Sequence, residues 1–199
     1  MERCAAMGET WTGETTVVEG CRAGDRDAFR LLFERHKDRV YSVALYFFGG
    51  DEATAHDVTQ QVFLKLFSRI GQFQGGAEFS TWLYRVTTNA CLDEQRKRRR
   101  FLPFGGDEWR EPRAPGAQEE RVAGAELTSA VARAVASLRP KLRVVMLLKY
   151  FEEMSYEEIA AVVGCSPGTV ASRLNRGHKI LARKLGHLRG SLAGAGREE

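Results

Sequence analysis

The 199-residue chain lacks the usual materials of a redox, metal or membrane protein. Its four cysteines, Cys4, Cys21, Cys91 and Cys165, form no CxxC pair, and no histidine stands at zinc-finger spacing from them. A disulfide framework does not suit a chain of this size and kind, so they read as small or buried side chains. No apolar run approaches the roughly 18 residues of a membrane span. The longest candidate, Val40 to Gly50, is too short. Residues 1–16 carry Glu2, Glu9 and Glu14 and no apolar segment, which does not fit a secretory signal and gives a cytoplasmic expectation. Proline is scarce, and three of the five prolines crowd between Pro103 and Pro115. No segment alternates as a half-buried strand does. Also missing are a nucleophile motif, a phosphate-cradling glycine loop and a cluster of metal ligands, so the expectation is no enzyme, no cofactor, no metal and no small-molecule substrate.

Charge is present in quantity but segregated. Thirty basic and 26 acidic residues leave a formal net charge of only +4. Yet Arg96 to Arg100 is an unbroken basic run, and Gly168 to Arg189 contains Arg173, Arg176, Lys179, Arg183, Lys184 and Arg189 with no acid. The stretch from Phe101 to Glu120 between them is mildly acidic. Two basic surfaces on either side of an acidic link suit a polyanion held at two places.

That link also divides the chain. Pro103, Gly105, Gly106, Pro112, Pro115 and Gly116 break helices and central strands alike. The expected organisation is all-α: two small helical domains, residues 17–100 and 120–189, joined by a flexible linker, residues 101–119. Residues 1–16 and 190–199 are expected to be loose ends.

In the first unit Phe29, Leu32, Phe33, Val40, Val43, Ala44 and Phe47 recur at helical spacing, and Gly49-Gly50 ends the run. Asp51 can cap the next helix, whose stripe is Val58, Val62, Phe63, Leu66, Phe67 and Ile70. Ser80 is the expected cap of a third helix carrying Trp82, Leu83, Val86 and Ala90. In the second unit Leu127, Val131, Val135 and Leu138 make one stripe, stopped by Pro140, and Leu142, Val145, Met146 and Leu148 make another.

The stretch from Met154 to Leu185 says most. Ser155 and Glu158 have capping-box spacing, and Gly164 fits a left-handed helix end. Ser166 caps the next helix and Pro167 opens it. The short gap between these helices is that of a helix-turn-helix. At roughly 100° per residue, Val170, Leu174, Leu181 and Leu185 fall on one side of the second helix. Ser172, Arg176, Lys179 and Arg183 fall on the other, with Arg173 and Asn175 on the flanks. An apolar back and a cationic front suit a major-groove reader, although such a face can also be merely solvated.

The first unit sets Phe73, Phe79, Trp82, Tyr84, Arg85 and Asn89 just before the basic run. Aromatic and basic groups together suit unstacked single-stranded DNA. The competing assignment puts Phe79 and Trp82 in the core, and the balance of residue types favours it for those two. Asn89 is left open between the two uses. Asp57, Gln60 and Gln61 lie off the apolar stripe, where a solvated face is the default.

These segments, in this order, resemble the extracytoplasmic-function sigma factors of the bacterial sigma-70 family. Gly24-Asp-Arg-Asp-Ala-Phe29 is similar to the family's opening helix, and His56-Asp-Val-Thr-Gln-Gln-Val-Phe63 to its region 2.2. Phe79-Ser-Thr-Trp-Leu-Tyr-Arg85 with Asn89 and Asp93 resembles regions 2.3 and 2.4. Leu138-Arg-Pro140, Met154-Ser-Tyr-Glu-Glu-Ile-Ala160 and Gly168-Thr-Val170 resemble region 4. The resemblance implies core RNA polymerase as partner, with Asp57, Gln60 and Gln61 against the clamp helices of its largest subunit, and a further contact to its beta subunit. It implies promoter DNA as the second partner. Phe73, Arg85, Asn89, Asp93 and Arg96 would meet the minus-ten element, and Thr169, Ser172, Arg173, Arg176 and Lys179 the minus-thirty-five element. It also implies an anti-sigma protein, free or membrane-bound, seated between the two domains. Two departures stand out: the family often has Glu where Gln61 stands and Arg where Ala171 stands.

Two other readings compete. A helix-turn-helix regulator would bind DNA without polymerase. A single-strand RNA-binding module would use the first unit and leave the helix-turn-helix unexplained.

Overall fold

The computed structural model describes residues 13–73, 75, 78–101 and 130–186. Within them the capping residues set the helix boundaries. Asp25 opens α2 (Arg26–Phe47), its carboxylate accepting from the backbone N–H of Asp27 at 2.7 Å and of Ala28 at 3.0 Å. Asp51 opens α3 (Glu52–Arg69) by accepting from the Thr54 N–H at 3.1 Å. Burial alone would raise the Asp51 carboxyl, but hydrogen bonds from Thr54 and Arg98 hold it below the usual carboxylate range. Between the two helices, Gly49 and Gly50 take φ of 66° and 91°, backbone that glycine adopts at little cost. A short helix, α1 (Glu14–Arg22), precedes α2, and a 3-10 turn (Ile70–Gln72) follows α3. The long α4 (Phe79–Phe101) carries the basic run at its C-terminal end, where cations suit the helix dipole.

Three of these details differ from the sequence expectation. Helix α1 starts inside the segment expected to be loose. Ser80 lies within α4 rather than at its cap, because the helix begins one residue earlier and Trp82 donates to the Glu78 carbonyl at 3.3 Å. Phe67 is 60% exposed rather than in the core stripe, its ring edge-on to Phe29 at 4.9 Å.

The second unit begins, among the described residues, with α5, residues 130–136. Val131 on it is exposed, although periodicity put it in a stripe, and Leu127 lies outside the described residues. Helix α6 (Pro140–Tyr150) has Pro140 in its first turn. Helix α7 (Tyr156–Val163) shows the full capping box: Glu158 N–H donates to Ser155 Oγ at 3.2 Å, and Ser155 N–H to Glu158 Oε2 at 2.6 Å. Those bonds hold the Glu158 carboxyl below its usual range. Gly164 takes φ 64°, and α8 (Pro167–Lys184) starts from Ser166, which accepts from Thr169 N–H at 3.2 Å. The helix-turn-helix is therefore present, and no strand occurs among the described residues. Phe101, the first residue of the expected linker, ends α4; the rest of that linker and the expected tail, residues 190–199, lie outside the described residues.

Helices α1, α3 and α4 pack around α2, burying Leu32, Val40, Phe47, Val58, Val62, Leu66 and Leu83. Helices α7 and α8 pack on α6 and on each other over Val145, Leu148, Ile159, Val170 and Leu174. The two units then share one core, because α6 is buried from Leu142 through Leu148 without a break. A helix with a single buried stripe cannot do that; α6 faces its own unit on one side and α2 and α4 on the other.

Arg143 holds this seam. It is 8% exposed and faces no carboxylate among the described residues. Its guanidinium donates instead to the carbonyls of Phe47, Ala136 and Leu138, the last at 3.0 Å. Phe47 ends α2 and Ala136 ends α5, so the cation sits at two negative helix ends. The Phe47 ring stacks beneath it at 4.9 Å. Burial lowers the Arg143 pKa to about 10, which still leaves it charged at neutral pH. Close approach matters at Gly177 too. This residue of α8 is buried, and a Cβ there would lie 3.0 Å from Met146 Sδ.

Replacing Arg143 by Ala should therefore leave the carbonyls of Phe47, Ala136 and Leu138 without this donor, and chemical denaturation should register a loss of about 2–4 kcal/mol. Gly177→Ala asks only that Met146 shift, whereas Gly177→Val adds two methyl groups to a filled contact. We expect Gly177→Val to cost about 1–3 kcal/mol more than Gly177→Ala, measured as the difference in urea midpoint at constant slope.

Candidate nucleic-acid and polymerase interfaces

Helix α3 carries Asp57, Gln60 and Gln61 exposed along one side. They share that exposure with two large apolar residues, Leu64 at 63% and Phe67 at 60%. Both were missed as surface by the sequence reading, which left Leu64 unassigned and put Phe67 in the core. Their combination is an apolar patch beside polar groups, the ordinary composition of a protein-binding face. Residue type at helical spacing could have flagged Leu64, since it falls outside the buried stripe.

Residues assigned to the minus-ten element do not all present themselves alike. Phe73 is half-buried and packs on Phe79 at 5.8 Å and Trp82 at 5.6 Å, edge-on or tilted. Phe79 is 5% exposed and Trp82 half-buried, in line with their core assignment. Asn89 is exposed on α4. Asp93 and Arg96 are also exposed but pair with each other at 3.0 Å. Within the basic run Lys97 faces Glu94 at 3.7 Å, and Arg98 reaches Asp51 at 2.9 Å and the Thr54 hydroxyl. Arg98 thus ties the end of α4 to the start of α3 and is largely structural. Arg99 and Arg100 have no ion-pair partner among the described residues and extend the cationic surface.

Arg85 has an unexpected partner. Though exposed, it donates to the carbonyl of Ala161 on α7, in the other unit. Beside it the Tyr84 hydroxyl donates to Glu152, which also accepts from Arg39 Nε at 2.6 Å. Burial, and next the Glu152 carboxylate, push the Tyr84 hydroxyl far above its usual range, so it stays a donor. Tyr46 and Phe151 stack across the same seam at 4.3 Å. Along this seam side chains of the two units meet directly.

Helix α8 divides as the helical wheel requires. Val170 and Leu174 are buried, and Leu181 and Leu185 half-buried. Ser172, Arg176, Lys179 and Arg183 are exposed on the other side. Thr169 and Arg173 are only half-exposed. Thr169 hydrogen-bonds the capping Ser166 hydroxyl at 3.0 Å, and Arg173 lies 3.7 Å from Cys165 Sγ. Those two are held by the turn, while Arg176 and Lys179 stand clear of it. Cys21 and Cys91 are buried thiols, pushed up to about 11 and about 12 by burial, so neither is a reactive nucleophile at neutral pH. Among the described residues no group of His, Cys, Asp and Glu could hold a metal ion, and no helix is long and apolar enough to cross a membrane.

Comparison with known proteins agrees with this geometry. The family model for Sigma-70 region 2 matches residues 32–101, and that for Sigma-70 region 4 matches residues 128–181. The ECF RNA polymerase sigma-E factor of Escherichia coli is 33% identical over 90% of this chain and 97% of its own length. The ECF RNA polymerase sigma factor SigW of Bacillus subtilis is 29% identical over 84% of this chain and 94% of its own. The structure of CnrH in complex with the cytosolic domain of CnrY superposes with a TM-score of 0.63 at 27% identity, over 86% of this chain and 96% of that one. The sigma factor RpoE of Bartonella quintana, solved with the anti-sigma factor NepR, has the same fold, with a TM-score of 0.64 at 23% identity over 79% of this chain and 96% of that one. With both regions matched in order and relatives aligned over most of both chains, the chain belongs to the extracytoplasmic-function group of the sigma-70 family of RNA polymerase sigma factors.

Proposed function

We propose that this chain acts in the cytoplasm as a non-catalytic specificity factor, bringing core RNA polymerase to promoters and assisting strand opening, under the control of an anti-sigma protein. The observation that carries the reading is the cationic front of α8, held by the capped turn and backed by buried Val170 and Leu174. Arg176 and Lys179 are the side chains that stand clear for the minus-thirty-five element, with Ser172 beside them and Thr169 and Arg173 at the margin. Their work is to read a groove edge and to neutralise phosphate. On α4, exposed Asn89 and the free arginines beyond Arg98 suit the minus-ten element and the melted strand. Phe73, in its aromatic cluster with Phe79 and Trp82, offers a ring face to an unstacked base. Arg85, Asp93 and Arg96 belong to the same surface once their present partners are exchanged for DNA.

Polymerase docking falls to α3. Asp57, Gln60 and Gln61 give direction, and Leu64 and Phe67 give the apolar area that most of the affinity requires. The departure at Gln61 removes a charge at this face, so more of the binding rests on the two apolar residues. The departure at Ala171 removes an upstream DNA contact and shifts the grip toward Arg176 and Lys179. Each DNA surface neutralises few phosphates and binds weakly at cellular salt. Polymerase, by holding both units, makes the second contact intramolecular and the pair effective.

Transcription with purified core polymerase tests the reading: start sites absent with core alone should appear on adding this chain, and DNA binding that ignores core would favour an independent regulator. Arg176→Ala should cost about 1–3 kcal/mol at one base position if the contact is to a base edge. A uniform loss across upstream sequences, measured by competition, would mark it as a phosphate contact instead.

A further inference from the structure

Helix α1 carries none of the residues assigned to polymerase or promoter, yet two lines of contact lead from it to the ring cluster of Phe73, Phe79 and Trp82. The first runs through His36. Its side chain is 13% exposed, and its Nε2 is buried without an aligned hydrogen-bond partner among the described residues. The Glu14 carboxylate, in the first turn of α1, answers it from 3.1 Å. The same imidazole lies 5.5 Å from the Phe79 ring, tilted by 58°. Phe79 opens α4, and Phe73 and Trp82 lie 5.8 Å and 5.9 Å from it. The second line runs through backbone. Phe73 N–H donates to the Ile70 carbonyl at 3.1 Å, closing the 3-10 turn, and that turn packs on α1 as well as on α3 with Ile70 buried. Val17, Val18 and Cys21 are buried and seat α1 in this position. What α1 shows to solvent is Glu14, Thr15, Thr16, Glu19 and Arg22, a set with no aromatic residue and one base, which makes no DNA face of its own.

We propose that α1 is a positioning element for strand opening, in which Glu14 holds His36, and His36 the Phe79 ring, so that Phe73 stands where an unstacked base is received. This rests on the role proposed for Phe73 and goes beyond it by naming the residues that keep the ring in place. Aromatic contacts depend on ring separation and tilt, so a ring that must meet an unstacked base has to be held by something other than the base. Phe73 and Trp82 are both half-buried. Phe79 is the one buried ring of the three and so anchors the other two, and His36 is the neighbour that it meets on α2. Glu14 in turn fixes where that imidazole points, because a buried ring nitrogen turns toward the carboxylate within its reach.

The test uses holoenzyme assembled from core polymerase and each full-length variant, on a promoter whose start site depends on this chain. Permanganate reactivity over time reads the rate of opening, fluorescence titration reads affinity for core, and thermal melting of the factor alone reads its fold. Glu14→Ala and Glu14→Gln remove the same charge from the first turn of α1, but Gln keeps an oxygen where the carboxylate stood, so their difference isolates the contact to His36. Glu19→Ala, exposed on the same helix, is the control. Phe73→Ala reports on the role of the ring itself. We expect opening to slow about tenfold for Phe73→Ala and about three- to fivefold for Glu14→Ala, to stay within about twofold for Glu14→Gln and not to change for Glu19→Ala, with core affinity and melting midpoint unchanged in both Glu14 variants. Normal opening with Glu14→Ala, while Phe73→Ala is slow, overturns the positioning role and leaves the role of Phe73 standing. Equal slowing by Glu14→Ala and Glu14→Gln, or a loss of core affinity in step with the loss of opening, also overturns it, since either marks a general effect on the helix. Normal opening with Phe73→Ala overturns the role of that ring and this inference with it.

Discussion

A guanidinium buried without a carboxylate has to find its compensation in the backbone, and the place it finds it here organises the molecule. Arg143 reaches the last carbonyls of α2 and α5, groups that every helix leaves unpaired at its C-terminus. Those carbonyls would otherwise be desolvated at the seam, and the cation would otherwise be intolerable there. Each lowers the cost of the other, and of that guanidinium only the buried Arg143 Nε is left without a partner among the described residues. The arrangement also fixes how α6 enters the groove of the first unit, because the ends of two helices define a point rather than a line. Around that point the buried run from Leu142 to Leu148 fills both sides.

This packing changes what the functional surfaces mean. In the chain alone, the face of α4 that includes Arg85 is engaged by α7, whereas the basic face of α8 and the apolar face of α3 remain exposed. The surfaces are thus not equally available at one time. Under the proposed roles, polymerase docking through α3 would need no rearrangement of the seam, whereas contact of Arg85 with DNA would require its bond to Ala161 to break. The ion pairs of α4 fit the same logic, since Asp93 keeps Arg96 occupied locally at little cost in an exposed setting.

Much of the fold was legible in the order of residues because the signals were local. Asp51, Ser155 and Ser166 satisfy the first N–H groups of their helices from three residues away, and Gly164 ends a helix by its own backbone freedom. Nothing distant is required for those choices. The wheel of α8 was legible for a related reason: a helix with one buried face repeats its apolar residues at its own period. Boundaries were harder. Ser80 has the chemistry of a cap, yet α4 starts at Phe79, two residues before a helix capped by Ser80 would, where Phe79 packs on Phe73 and Trp82. Phe67 and Val131 fit their periods and lie exposed all the same, since periodicity gives the spacing of a stripe but not its width.

The sequence by itself determined the helices, their caps, the helix-turn-helix and the sign of each charged surface, all of which depend on neighbours within a turn or two. Only the tertiary structure decided which face of α6 is covered, that Arg143 is buried, that Glu152 gathers Arg39 and Tyr84, and that Gly177 must be small. The physical reason is that each of these depends on a partner on another element, in three of the four cases far away along the chain. The one sign of it in the sequence, the apolar run from Val144 to Leu148 beside Arg143, says that a helix is enclosed but not by what.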